Sequence, residues 1–472
     1  MGKTTYSKVG VRKMKKLFVK QIEGDMLTPI GIFQSLKGRK KCLLESSLKH
    51  EQHGRFSFIG CNPHIELLSD RGNNTIRQPA GESCKEGLFL DVLKEYIERE
   101  DIQEGNRFPF IGGGVGYIGY DVIRQYEDIG GCLADDVNMP DAHMLFYQDI
   151  IVYDHIRQQV YIVSSGDAQE EAEFKERAAA IMKELSAGML QAEETAGHGR
   201  KISFQSHRTQ AEFTAIVEKA KEAIFRGDIF QIVLSLRFST EFGGDSFSFY
   251  RRLRRHNPSP YMFYIDFEEY QIVGASPESL IKGSADTVLT NPIAGTRKRG
   301  LTEAEDTVLE EELLKDEKEL AEHMMLVDLG RNDLGRVCEI GSVELVKYML
   351  VEKYAHVMHI VSEVKGKKRP SIFNEDVLAS CLPAGTVSGA PKIRAMNLIN
   401  QLETEKRNVY AGAVGYFSHN GDFDFALAIR TMVVKEGKAY IQAGAGIVHD
   451  SDPQAEYEEV LNKAKALMEV EL

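Results

Sequence analysis

The stretch Asp149-Ile-Ile-Val-Tyr-Asp-His-Ile-Arg-Gln-Gln-Val-Tyr-Ile-Val163 holds two short runs of β-branched and aromatic residues around a polar His155-Ile-Arg-Gln connection. A link this short predicts two strands side by side and antiparallel, because parallel neighbours need a long crossover. Working outward, Arg55-Phe-Ser-Phe-Ile-Gly60 reads as a strand, and Glu170 to Ala192, rich in Glu, Ala, Lys and Leu, as a surface helix. Further along, Phe213, Ile216, Val217, Ala220 and Ile224 repeat at helical spacing behind a cap at Ser206 or Thr209. Strand-like segments then cover Ile229 to Phe238, Tyr261 to Phe267, Gln271 to Gly274, Asp422 to Val434 and Lys438 to Ala443. Helices are expected around Ser246 to Arg255, Asp316 to Leu329 and Gln454 to Met468. Strand pairs set between helices, without one-to-one alternation, predict an α+β fold with largely antiparallel sheets.

Length and composition bound the function. The 472 residues suffice for two or three domains, and a net charge of -13 opposes a nucleic-acid or anionic-membrane partner. No apolar run reaches the ~18 residues of a membrane helix. Cysteines 42, 61, 84, 132, 338 and 381 form no C-x-x-C unit, so reduced thiols in the cytoplasm are expected rather than a disulfide framework or zinc ribbon. The organisation expected is a loose extension over 1–14, a first region over 15–192, a polar linker over 193–203 and a second region over 204–472.

Gly114-Val-Gly-Tyr-Ile-Gly119 matches the dinucleotide pattern G-x-G-x-x-G, but Pro109 and further glycines precede it and a poor helix start follows. A packed glycine-rich strand or turn is the better reading. Gly385-Thr-Val-Ser-Gly-Ala-Pro-Lys392 offers flexible backbone N–H groups before a helix, with Pro391 placed for its first turn; an anion cradle and a plain turn stay equally open. His356 and His359 lack a third ligand at zinc spacing. Glu319 and Glu322, and again Glu456 and Glu459, stand three apart on a helix face. Such pairs are ordinary solvated surface unless two helices meet at a cleft, where four carboxylates suit one hard cation such as magnesium. His323 and the apolar Met324 to Val327 beside Glu322 argue that this face is buried.

Four longer strings carry more: Thr290-Asn-Pro-Ile-Ala-Gly-Thr-Arg-Lys-Arg-Gly300, Glu322-His-Met-Met-Leu-Val-Asp-Leu-Gly-Arg-Asn-Asp-Leu-Gly-Arg336, Pro383-Ala-Gly-Thr-Val-Ser-Gly-Ala-Pro-Lys392 and Gly444-Ala-Gly-Ile-Val-His-Asp-Ser-Asp452. With Leu43-Leu-Glu-Ser46 and Gly54 to Gly60, they closely resemble anthranilate synthase component I over nearly the whole chain. The resemblance implies a two-part αβ sandwich in which a regulatory and a catalytic region both contribute antiparallel sheets. It implies magnesium on Glu322 and Glu459, with Glu319 and Glu456 beside them, and chorismate on Gly295, Thr296, Tyr410, Arg430, Gly444, Ala445 and Gly446. Glu278 corresponds to the acid that protonates the departing hydroxyl, and His359 to the histidine of the later elimination. Glu45 and Ser46, with Pro260, Tyr261 and Met262, correspond to the segments that cradle tryptophan as feedback inhibitor.

Two positions separate related activities. Aminodeoxychorismate synthases typically carry a nucleophilic lysine where Ala294 stands, and isochorismate and salicylate synthases a water-activating lysine near Gln231. Neither residue here can do that chemistry. Leu236-Arg237 departs from the usual polar or basic pair without bearing on the chemistry. No glutaminase nucleophile pattern is present, so the resemblance implies ammonia from a separate glutamine amidotransferase subunit, in a heterotetramer. The absence of Trp suits a protein made when tryptophan is scarce.

Overall fold

The computed structural model describes residues 14–46, 54–97, 101–102, 107–188, 202–353 and 357–471. The expected extension (apart from Met14), most of the linker, and His356 lie outside these residues.

The opening hairpin forms as expected, Ile150–Asp154 antiparallel to Gln159–Gly166 with Asp154 opposite Gln159. All five residues of Ile150–Asp154 are buried. Alternation explains how: Ile150 and Val152 enter one apolar cluster while Ile151 and Tyr153 enter another on the opposite face. A strand covered on both faces reads as a continuous apolar run.

The same logic builds the molecule. Two large sheets stack face to face around a shared core containing Phe58, Val115, Tyr117, Leu145, Val152, Phe263 and Tyr416. Helices cover each outer face. Thr209 caps Gln210–Phe225 through a reciprocal capping box with Glu212, and its Phe213 and Val217 pack with Val460 of Pro453–Met468 on the first sheet. Glu317–Gly335 and Asn374–Cys381 cover the second sheet. The fold is thus an α+β sandwich, helix on sheet on sheet on helix. Among the described residues its ladders are antiparallel apart from the short pairing of Met14–Glu23 with Asp101–Ile102. No helix among the described residues is long and apolar enough to cross a membrane.

Both sheets draw strands from before and after the linker. In the first, Cys42–Glu45 pairs with Tyr261–Asp266; in the second, Gly113–Ile118 pairs with Ala413–Ser418. The glycine-rich motif is therefore a central strand, followed by a short 3-10 turn, Tyr120–Gln125, rather than a phosphate loop leading into a helix. A Cβ on Gly116 would lie 2.0 Å from the His143 carbonyl oxygen, so the glycine serves close packing of neighbouring backbone.

Candidate active site

The chain passes between the sheets twice in one neighbourhood. Tyr270–Ser276 of the first sheet leads into Ser279–Ser284 of the second, and Phe423–Leu427 of the second leads back into Thr431–Lys435 of the first. Glu278 sits in one crossing and Arg430 in the other. The two crossings are bound together: Leu427 donates its N–H to the Glu278 carbonyl (3.0 Å), and Ala275 donates to the Arg430 carbonyl (3.1 Å). Arg430 holds φ 47°, left-handed backbone that costs a non-glycine residue energy and recurs at functional sites.

Burial pushes the Glu278 carboxyl up to about 7, against the opposing pull of the Thr386 hydroxyl, Lys463 and Arg430. Thr386 Oγ1 donates to Glu278 Oε1 at 2.9 Å. Burial also lowers Arg430 from its ordinary value, and among the described residues no carboxylate forms an ion pair with it. A planar cation without a fixed partner suits a substrate carboxylate.

The strand Ile293–Lys298 lies against Val357–Lys367 with a bulge between Ala294 and Thr296. Gly295 occupies it at φ 72°, conformation natural only to glycine. The bulge aims Thr296 and the Gly295 carbonyl at one nitrogen of His359: Nδ1 is 3.0 Å from Thr296 Oγ1 and 3.1 Å from Gly295 O. A carbonyl only accepts, so Nδ1 carries the proton and Nε2 is the basic nitrogen. Burial, and secondarily the Arg430 charge, hold this imidazole below its usual range and therefore neutral at pH 7.

The third wall is the strand Lys438–Ile447, where Gly444, Ala445 and Gly446 pair with Ser235, Leu234 and Val233. A Cβ on Gly444 would lie 2.7 Å from Tyr410 Oη, and one on Gly446 would lie 2.7 Å from Gln231 Nε2. Tyr410 is buried, its phenol pushed up to about 12.

Around this floor stand the four glutamates. Asp316 caps Glu317–Gly335 by accepting from the Glu319 N–H (3.2 Å), and Asp452 caps Pro453–Met468 by accepting from Ala455 (2.8 Å). Glu319 pairs with Arg297 (3.2 Å) and Glu459 with Lys463 (2.7 Å). Glu322 accepts from Gln231 (3.4 Å). Burial and then the negative charge of Glu319 raise Glu322, with a lesser contribution from Glu459; burial and Glu459 raise Glu456. The set shares one electrostatic neighbourhood without its oxygens converging on a point. Among the described residues, Asp136, His207 and Glu405 do bring ligand atoms within 4.8 Å of one another. That group is already compensated, with Asp136 ion-paired to Arg237 and the His207 ring within 3.3 Å of Glu405. His323 behind Glu322 is fully buried against Ser362 (2.6 Å), and Leu326 and Val327 are buried with it.

Two residues escaped the sequence reading. Lys463 sits among these carboxylates and donates to the Gly444 carbonyl (3.1 Å); its place four residues after Glu459 was the available signal. Nothing in Pro383 to Lys392 marks Thr386 locally, because its partner is 108 positions away. The segment holding it is a 3-10 turn, Gly385–Val387, followed by a helix beginning at Lys392, so Pro391 precedes the first turn instead of entering it.

The two segments compared with a tryptophan cradle meet across one ladder, Glu45 opposite Met262. Glu45 is buried, accepts from Tyr250 Oη and forms an ion pair with Arg254 Nε, each at 2.6 Å; its second oxygen is buried with no hydrogen bond among the described residues. Ser46 follows directly, Pro260 is half-buried, and Tyr261 Oη reaches Asp424 of the second sheet at 3.0 Å.

Comparison with known proteins identifies the family. The model for chorismate binding enzymes matches residues 40–469. Anthranilate synthase component 1 of Lactococcus lactis is 43% identical over 454 residues, covering 96% of this chain and 99% of its own; that of Acetivibrio thermocellus is 44% identical, covering 95% and 93%. The crystal structure of anthranilate synthase component I from Streptococcus pneumoniae superposes with a TM-score of 0.79 at 44% identity, covering 95% of this chain and 98% of that one. The menaquinone-specific isochorismate synthase of Escherichia coli, at 18% identity and a TM-score of 0.72, shares the fold. The chain therefore belongs to the chorismate binding enzymes, among the anthranilate synthase component 1 proteins.

Proposed function

We propose that this protein is the large subunit of an anthranilate synthase, adding ammonia to chorismate and eliminating pyruvate. The observation that carries this reading is the meeting, at the two sheet crossings, of a carboxyl pushed up to about 7 with an arginine that has no ion pair among the described residues. Arg430 takes a substrate carboxylate, while Tyr410, Thr296, Gly295 and the backbone of Gly444, Ala445 and Gly446 bound the ring and its other acidic end. Ammonia attacks C2 as the C4 hydroxyl leaves, and Glu278 supplies the proton that turns hydroxide into water. His359, neutral with Nε2 basic, then accepts the C2 proton as the enolpyruvyl group departs and the ring becomes aromatic.

Glu322 and Glu459, with Glu319 and Glu456 beside them, fit magnesium. They are hard oxygen donors, and Glu322 and Glu456 are raised by burial and by neighbouring carboxylates, strain that a divalent cation relieves. When bound, the ion offsets negative charge on the substrate carboxylate. Ala294 and Gln231 offer no amine, which favours external ammonia over a lysine nucleophile or activated water.

On this reading the chain is the tryptophan-inhibited member of a cytoplasmic heterotetramer, receiving ammonia from a glutamine amidotransferase subunit; the relatives' designation as component 1 supports a second component. Glu45, Ser46, Pro260, Tyr261 and Met262 form the tryptophan site. The six free thiols suit a reducing compartment. The test is incubation of the purified chain with chorismate, ammonium and Mg2+, with products separated by liquid chromatography and identified by mass. Anthranilate and pyruvate are expected; aminodeoxychorismate without pyruvate, or no turnover by the folded protein, overturns the reading.

A further inference from the structure

The turn Gly385–Val387 is anchored more firmly than a surface loop needs. Arg407 is buried and donates to Glu403 through Nε (2.8 Å) and Nη2 (2.6 Å). Its Nη1 donates to the Val387 carbonyl and its Nη2 to the Val233 carbonyl, each at 2.7 Å. Glu403 Oε1 in turn accepts from Ser235 N (2.9 Å) and Oγ (2.8 Å). One planar fork thus ties the turn to the strand Gln231–Glu241, geometry an ammonium group cannot reproduce. A buried ion pair contributes little net stability, so this anchoring is better understood as fixing position.

What the turn presents is Thr386, whose hydroxyl donates to Glu278 Oε1 at 2.9 Å. A carboxylic acid can carry its proton on either oxygen, and only one orientation delivers it to a leaving group. An oxygen that already accepts a hydroxyl hydrogen is the poorer place for a proton. We propose that Thr386 is a positioning residue that assigns the transferable proton of Glu278 to Oε2, with the Arg407–Glu403 pair holding the turn that presents it. This rests on the reading of Glu278 as the acid. The other charged groups acting on Glu278 are Arg430, from the second sheet crossing, and Lys463, from the last helix; both favour the ionised carboxylate, as the Thr386 bond does.

The test compares Thr386→Val, Thr386→Ser and Glu278→Gln with the wild-type chain in ammonium-dependent turnover, with circular dichroism to confirm folding. Thr386→Val removes a bond that favours the ionised form, so the basic limb of the kcat/KM profile should move up by about one pH unit. Its kcat should nevertheless fall about tenfold, because the proton is no longer held on one oxygen, while KM for chorismate stays near wild type. Thr386→Ser should restore both. An unmoved basic limb in Thr386→Val, or a folded Thr386→Ser as impaired as Thr386→Val, overturns the inference while an inactive Glu278→Gln leaves the acid reading standing. Wild-type turnover by Glu278→Gln overturns the acid reading and this inference with it.

Discussion

Desolvation pushes the half-buried Glu278 carboxyl up to about 7; a solvated glutamate titrates near ~4.3. With Glu278 as the proposed acid, its protonated form is the one that works, so turnover should fall as pH rises through about 7, a limb read from the rate of anthranilate formation against pH. Glu278→Gln should lose ~10²- to 10⁴-fold in kcat with chorismate binding retained, measured by steady-state kinetics and equilibrium binding. Nothing local in Gly274-Ala-Ser-Pro-Glu278 marks this residue as an acid. The resemblance points to it, and the cause of its behaviour is desolvation by the fold, opposed by Thr386, Arg430 and Lys463, all distant in the chain.

At the scale of elements, spacing served well where chemistry is local. The helix bearing Glu319 and Glu322 and the helix bearing Glu456 and Glu459 form with aspartate caps at Asp316 and Asp452. What spacing omitted is the cations that hold two of those carboxylates, Arg297 and Lys463. The bulge at Gly295 was equally hidden, since a G-T pair in an apolar strand does not announce left-handed backbone. Gly295→Ala tests it. Its φ of 72° and a Cβ only 3.1 Å from Ile360 and 3.3 Å from Glu319 should force the bulge to shift. A stability loss of about 1–2 kcal/mol in urea unfolding is expected, with a larger proportional loss of turnover as Thr296 and His359 move. Wild-type kinetics would show that the bulge does not orient His359.

At the scale of the whole molecule, segments from before and after the linker share both sheets, so a ligand at the tryptophan site proposed around Glu45 and Met262 would touch the same sheet as the strand Thr431–Lys435 that follows Arg430. From Tyr261 the hydroxyl contact to Asp424 crosses to the second sheet, into the strand Phe423–Leu427 that leads to Arg430. Spatial continuity is a candidate route that only a coupling measurement can establish. Asp424→Asn should raise the tryptophan concentration for half-inhibition about fivefold or more while uninhibited turnover persists. An unchanged inhibition curve would exclude this strand as the route.

Element type, the antiparallel habit of the strands and the glutamate pairs were determined by the chain itself, because each depends on neighbours within a few turns or one hairpin. The same local grounds read the glycines at Gly114 to Gly119 as a packed strand or turn, and the strand Gly113–Ile118 bears that out. Tertiary structure alone decided the upward shift of the Glu278 carboxyl, the basic nitrogen of His359 and the partner of Thr386. Each depends on burial or on a contact that the sheet crossings create between segments far apart in sequence, and desolvation and hydrogen bonding follow distance in space.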